Sequence, residues 1–226
     1  MVIRNIIFDW SGTLVDDLPA VLAATNHVFE KRGAPPLTME RFRAEFCLPY
    51  RDFYTRFLPK APLAELERAF HGHFSRAPQA AEEVPRAREF LVFCRERGIR
   101  SFVLSTILPD YYAAQAGVNG FDQFMERAYL GVRDKREKIT EVLAENRLAA
   151  AETMFVGDMQ HDMETARHGG VFSCGVLTGY NRLEQLRASR PDLIVEHLGE
   201  LRAILERREF DLRPDDGGAE LPRRPV

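Results

Sequence analysis

Residues 2–8 (VIRNIIF) form a short apolar run with one charged and one polar residue in it, and the run stops at an acid, Asp9. This pattern predicts a buried strand of a parallel sheet. Beyond it the period changes. Leu18, Val21, Leu22, Thr25 and Phe29 recur at three- and four-residue intervals, which predicts a helix that Gly33-Ala34-Pro35-Pro36 breaks. Thr38 reads as the cap of a second helix, with Arg41 where a capping box would ideally hold Glu. Pro49, Pro59 and Pro62 punctuate further short helices, and in the last, over 63–74, Leu66, Phe70 and Phe74 share a face. Residues 17–84 thus read as an all-helical lobe inserted after the first strand.

Near Pro85 the pattern reverts to strands alternating with helices. Helix is predicted over 89–97 with Gly98 as its stop, strand over 99–104, helix over 109–116 with Gly117 as its stop, and a short strand over 128–130. Helix follows over 135–146 and strand over 153–156. Helix over 163–168 ends at Gly169-Gly170, and strands close the series at 171–177 and 192–195. Alternation of this kind predicts βαβ units and an α/β fold with a parallel sheet. The expected organisation is a core of residues 1–16 and 85–210, the helical cap 17–84, and a polar, proline-containing tail 211–226.

Composition narrows the class. The chain has 226 residues, 45% hydrophobic and 29% charged, enough for a core and one inserted lobe in an ordinary globular protein. A net charge of −3 gives no electrostatic case for a nucleic-acid or anionic-membrane partner. No apolar run approaches the roughly 20 residues that span a bilayer, and the first run is too short for a signal peptide. Cys47, Cys94 and Cys174 are dispersed without metal-type spacing. Reduced thiols and a cytoplasmic location are expected.

The candidate chemistry lies at strand ends. Asp9 closes the first strand, Ser105-Thr106 the next long one, and Gly157-Asp158 the strand over 153–156, while Lys135 opens a helix and Asp162 stands four residues beyond Asp158. Ligands of open α/β sheets bind at the carboxyl ends of the strands. Taken singly, each residue has a plainer explanation: Asp9 and Ser105 as turn residues, Lys135 as a solvated helix residue, Asp158 and Asp162 as acids at a helix start. What singles them out is their order and placement together.

In that order the chain resembles the haloacid dehalogenase superfamily, with later segments (Gly169-Gly170, Gly175 to Tyr180) like phosphoglycolate-phosphatase relatives. Asp9, Gly12 and Thr13 match the first motif, Asp-x-Asp-Gly-Thr; Ser11 stands where the phosphatases carry a second aspartate. The resemblance implies a Rossmann-like parallel core with an inserted helical cap. It implies a Mg²⁺-dependent hydrolase of a small phosphorylated metabolite, acting through an aspartyl phosphate on Asp9. Asp9, Asp158 and the backbone carbonyl of Ser11 would hold the metal, with Asp162 orienting bound water. Lys135 would neutralise charge, and Lys138 is the alternative for that role. Ser105, Thr106, Gly12 and Thr13 would contact the phosphate. A serine cannot exchange a proton near neutral pH as a carboxyl does, so Ser11 predicts slow turnover unless another group supplies the acid.

Two alternatives remain at this level. Asp9-Trp10-Ser11-Gly12-Thr13 also resembles the Asp-Trp-Ala-Gly-Thr of phosphonoacetaldehyde hydrolases, whose phosphonate substrate forms a Schiff base with a cap lysine; Lys31 and Lys60 are the lysines the cap offers. A phosphate-binding protein without turnover is the other. Arg43 and Arg51 are candidate clamps for an anionic substrate, against the commoner case of solvated surface arginines. Trp10 is expected at the wall of the site or packed against the cap. His71 and His73, two apart on a helix, do not share a face. The oligomeric state is not legible.

Overall fold

The structure, a computed structural model, describes residues 2–75 and 81–212. Strand β1 (Asn5–Phe8) is shorter than the apolar run. Val2 instead bridges Asp211, and the Ile3 N–H donates to the Phe210 carbonyl at 2.9 Å, so the first residues tie down the end of the described chain. Leu212 is buried; the expected tail beyond it lies outside the described residues.

The chain then forms β2 (Val15–Asp16) and four helices, α1 (Leu18–Lys31), α2 (Met39–Glu45), α3 (Tyr50–Phe57) and α4 (Leu63–Phe74). The Thr38 hydroxyl accepts from the Arg41 N–H and caps α2. β3 (Glu82–Glu83) returns antiparallel to β2, so a two-stranded ribbon closes the helical insertion at its root. Strands of two residues leave no periodicity to detect. Leu18, Val28, Phe29, Phe42, Phe53 and Leu66 form the insertion's own apolar centre, which takes in Met159 and Tyr180 from the other lobe.

From α5 (Ala87–Glu96) the α/β pattern runs through β4 (Arg100–Leu104), α6 (Pro109–Asn119), β5 (Arg127–Tyr129), α7 (Lys135–Glu145) and β6 (Thr153–Gly157). It continues with α8 (Gln160–Gly169), β7 (Phe172–Val176), α9 (Leu183–Ala188), β8 (Leu193–Val195) and α10 (Leu198–Arg207). Most elements differ from expectation by one or two residues at an end, and two helices by three. α6 runs through Gly117 and stops at Gly120, whose φ of +67° is the left-handed conformation glycine adopts without cost. α8 begins at Gln160, and its polar first turn carries no apolar period, so the sequence pattern shows the helix only from 163. α9 and α10 follow the last legible glycine signals and were not anticipated.

The sheet order is β5-β4-β1-β6-β7-β8, every neighbouring pair parallel. Alternate residues go to opposite faces. Ile6, Phe8, Val103 and Val156 pack with Phe90, Phe93 and Leu201, while Ile7, Phe102, Leu104 and Phe155 pack with Ile139 and Val142. Burial on both faces explains why Ile6, Ile7 and Phe8 are apolar without alternation. β1 lies where the strand order reverses, with β4 on one side and β6 on the other, so the ends of these three strands open on one crevice.

Candidate active site

Asp9 directly follows β1, and Asp158 directly follows β6, the adjacent strand. Lys135 is the first residue of α7 and Asp162 lies in the first turn of α8; those two helices pack against each other. The packing brings Lys135 Nζ within 2.8 Å of Asp9 Oδ1 and 2.7 Å of Asp162 Oδ1, all three side chains buried. Asp162 Oδ2 accepts from the Met159 N–H at 3.0 Å, which fixes the carboxylate at the start of its helix. Asp158 accepts from the Thr13 hydroxyl at 3.0 Å and from the Tyr180 N–H at 2.7 Å. Gly12 lets these pieces meet: its φ is +79°, and a Cβ there would lie 2.5 Å from Asp158 Oδ2.

The charges do not balance by themselves. Burial raises the pKa of Asp9, against the pull of Lys135. Burial raises that of Asp158 further, with Asp162 and Asp9 adding repulsion. Burial works against the Lys135 ammonium too, but Asp162 and Asp9 more than offset it and hold its pKa above the usual range. Asp9, Asp158 and Asp162 can each aim an oxygen into a space where the ligand atoms lie within 4.8 Å of one another. Three carboxylates against one ammonium leave two negative charges in a buried, all-oxygen donor set. A hard divalent cation fits that set. His161 was not anticipated. Burial and then Lys135 push its pKa down to about 4, so its neutral ring accepts from the Lys135 N–H through Nε2 at 3.2 Å.

Ser11 has a different partner. Its hydroxyl donates to Asp17 Oδ2 at 2.7 Å, and Asp17 Oδ1 is buried without a hydrogen-bond partner among the described residues. Burial pushes the Asp17 pKa up to about 6, partly countered by Ser11 and Gln115. Gln115 links Asp17 to Trp10, accepting from the indole N–H at 2.7 Å. Trp10 is therefore neither wall nor cap contact. It is fully buried in the core against Tyr112 and Phe121. The sequence signal for Asp17 is slight: it closes the segment that begins at Asp9, but nothing in its spacing ties it to Ser11.

Asp9, Ser11, Asp17 and Thr106 open on a cavity of about 310 Å³ between the two lobes. Its far walls come from the helical insertion: Phe46, Tyr50, Tyr54, Glu67, Phe70, His71 and Phe74. Ser105 is buried beneath it, its hydroxyl accepting from the Ile107 N–H at 3.3 Å. Lys138 lies apart, paired with Glu141 on the outer face of α7. Arg43 and Arg51 are not among the described lining residues; Arg43 Nε donates to the Tyr180 carbonyl at 3.1 Å, and the cation among the described lining residues is Arg133. Lys31 and Lys60 are exposed, and no lysine is among the described lining residues. The three cysteines are unpaired, with Cys94 and Cys174 buried. No described helix is long and apolar enough to cross a membrane.

Residues 6–176 match the family described as haloacid dehalogenase-like hydrolase. A phosphoglycolate phosphatase of Synechococcus elongatus is 28% identical over 85% of this chain and 92% of its own. The pyrophosphatase PpaX of Anoxybacillus flavithermus is 25% identical over 91% and 98%. A solved haloacid dehalogenase-like family hydrolase of Streptococcus pneumoniae superposes with a TM-score of 0.81 at 21% identity, covering 90% of this chain and 98% of that one.

Proposed function

The chain belongs to the haloacid dehalogenase-like hydrolases, and we propose that it is a Mg²⁺-dependent phosphohydrolase of a small phosphorylated metabolite, working through an aspartyl phosphate on Asp9. The observation that carries this reading is the buried group of Asp9, Lys135, Asp158 and Asp162 at the sheet's switch point. The names of the relatives, both phosphate-cleaving enzymes, support it.

Lys135 and the Trp10 N–H both engage Asp9 Oδ1, which leaves Oδ2 as the nucleophilic oxygen. Attack on phosphorus expels the leaving group and divides one hard displacement into two. Asp9, Asp158 and the Ser11 carbonyl would hold Mg²⁺, and Asp162 would orient bound water. Mg²⁺ supplies charge neutralisation between an anionic nucleophile and an anionic phosphoryl group. Lys135 adds a fixed charge aimed at the same oxygens. Ser105 and Thr106 border the phosphate position from the β4 end. For the proton, Ser11 stands between the site and Asp17: its hydroxyl, turned from Asp17 to the leaving oxygen, would give up its own proton and take the one on Asp17 in its place. The same path returns it when water attacks the aspartyl phosphate. A relay through a hydroxyl is a weaker acid–base device than a carboxyl in direct contact.

The Schiff-base alternative loses support because Lys31 and Lys60 sit exposed, away from the cavity. A screen of phosphoesters and anhydrides, with Mg²⁺ and with EDTA, tests the reading. Mg²⁺-dependent phosphate release is expected. Release unaffected by EDTA, or none from any substrate, overturns it.

A further inference from the structure

The cavity beside Asp9 has a composition that the proposed chemistry does not require. Phe70 and Phe74 lie stacked at 5.5 Å, and Phe74 meets Tyr111 edge-on at 4.8 Å across the two lobes. Phe46 and Tyr54 add further rings on the insertion side, with Tyr180 on the other. Rings arranged this way favour an aromatic guest, through offset or edge-on contact. A polyhydroxylated guest would lose water from several hydroxyls and find apolar carbon in exchange.

The polar groups on the lining narrow the class further. Glu67 lies there, bonded by the Tyr50 hydroxyl, and Asp17 lies there beside Ser11. His71 is held neutral by burial and meets the Tyr111 hydroxyl at 3.2 Å. Arg133 is the one cation among the described lining residues, and it is exposed. A second anionic group on the substrate would meet the Glu67 carboxyl side chain on this wall, beside an Asp17 that carries the relay proton.

Ser11 supplies an independent argument. Where no carboxyl touches the leaving oxygen directly, the groups that leave well unprotonated are favoured. A phenol ionises near pH 10, far more readily than an aliphatic alcohol. Wall and motif therefore select the same kind of molecule. We infer that the substrate is a phosphate monoester of an aromatic alcohol with no second anionic group, its ring held among Phe46, Tyr54, Phe70, Phe74 and Tyr111. This deepens the phosphohydrolase reading and rests on it.

Four probes at saturating Mg²⁺ test the inference: 2-naphthyl phosphate, 4-carboxyphenyl phosphate, glycerol phosphate and acetyl phosphate. The naphthyl ester should exceed glycerol phosphate in kcat/KM by about 10²-fold, the scale of a general-acid contribution the phenol does not need. It should also show a lower KM than acetyl phosphate, which is activated but has no ring. The 4-carboxyphenyl ester should be about tenfold worse than the naphthyl ester, and Glu67→Gln should recover most of that loss. Phe70→Leu should raise the naphthyl KM about fivefold, the scale of one lost ring–ring contact. Acetyl phosphate turned over as well as or better than the naphthyl ester in KM and kcat/KM overturns the inference and leaves the phosphohydrolase reading standing. A carboxyphenyl ester preferred to the naphthyl ester overturns it too. No Mg²⁺-dependent turnover of any probe overturns both.

Discussion

The floor and the roof of the cavity are built by opposite means. The floor is four charged side chains at strand and helix ends, buried and locked by short polar contacts: Lys135 on Asp9 and Asp162, Thr13 and Tyr180 on Asp158. The roof is aromatic, set by how α2, α3 and α4 pack, with half-buried rings such as Phe46 and Phe70 facing the cavity. Charge in the floor is held by backbone position, so under the proposed function a substitution there should remove turnover. Contacts in the roof are shared among many rings, so a substitution there shifts affinity. The two halves meet at Tyr180, whose N–H holds Asp158 while its ring lies 5.2 Å from Phe46.

The sharpest way to break this contrast is Asp9→Asn. It preserves shape and removes the nucleophile, so kcat should fall at least about 10⁴-fold with an unchanged circular dichroism spectrum. A variant retaining wild-type turnover would remove Asp9 from the chemistry. Lys135→Met should cost about 10²–10³-fold in kcat, the scale of losing one aimed charge. It also leaves three buried carboxylates with no ammonium, so calorimetry should show tighter Mg²⁺ binding in the variant. Lys138→Ala, on the outer face, should leave both quantities alone; a dead Lys138→Ala beside an active Lys135→Met would transfer the role.

The same contrast explains what was legible in the sequence. Asp9, Ser105 and Asp158 end strands, and a strand that ends at a polar residue after an apolar run can be placed from that run, while their roles come from the resemblance. Lys135 and Asp162 open helices and stand at short range from those ends. The roof offers no such marker: Phe70 and Phe74 are readable as one face of α4, but not which lobe that face meets. For Arg43 and Arg51 the sequence leaves a substrate clamp beside the commoner solvated arginine, and Arg43 is spent on the Tyr180 carbonyl. Asp17 falls between the two cases. It lies at the root of the insertion, just after β2, where a tight turn over residues 10–15 brings the chain back beside Ser11, and a two-residue strand is too short to announce itself.

A smaller effect tests the border between floor and roof. Ser11→Asp places a carboxyl where the relay through Ser11 now stands. Turnover of glycerol phosphate should rise about tenfold, and that of an aryl phosphate by less, since the phenol needs little help. Equal gains on both substrates would mean that proton delivery is not what Ser11 limits.

The smallest expected effect is on stability, at Asp17. Its carboxyl is buried with one oxygen unpaired, and its pKa rises from an ordinary 3.8 to about 6. Between those values the folded chain keeps a proton that the unfolded chain releases. The stability Asp17 contributes is therefore intact below about pH 4 and is lost as pH rises to about 6. The full difference corresponds to roughly 3 kcal/mol, an upper bound for a single buried group. Asp17→Asn removes the titration and keeps a hydrogen-bonding partner for Ser11. In EDTA at pH 7.5 it should be more stable than wild type by about 1–2 kcal/mol, and the two proteins should converge at pH 4. Turnover of glycerol phosphate by the same variant should fall, because the relay has lost its proton. Urea denaturation at the two pH values and a steady-state assay at pH 7.5 read both quantities on one preparation. A variant less stable than wild type at pH 7.5 would show that Asp17 holds the insertion's root in place, whereas greater stability with lower turnover identifies a carboxyl kept in an unfavourable place for its chemistry.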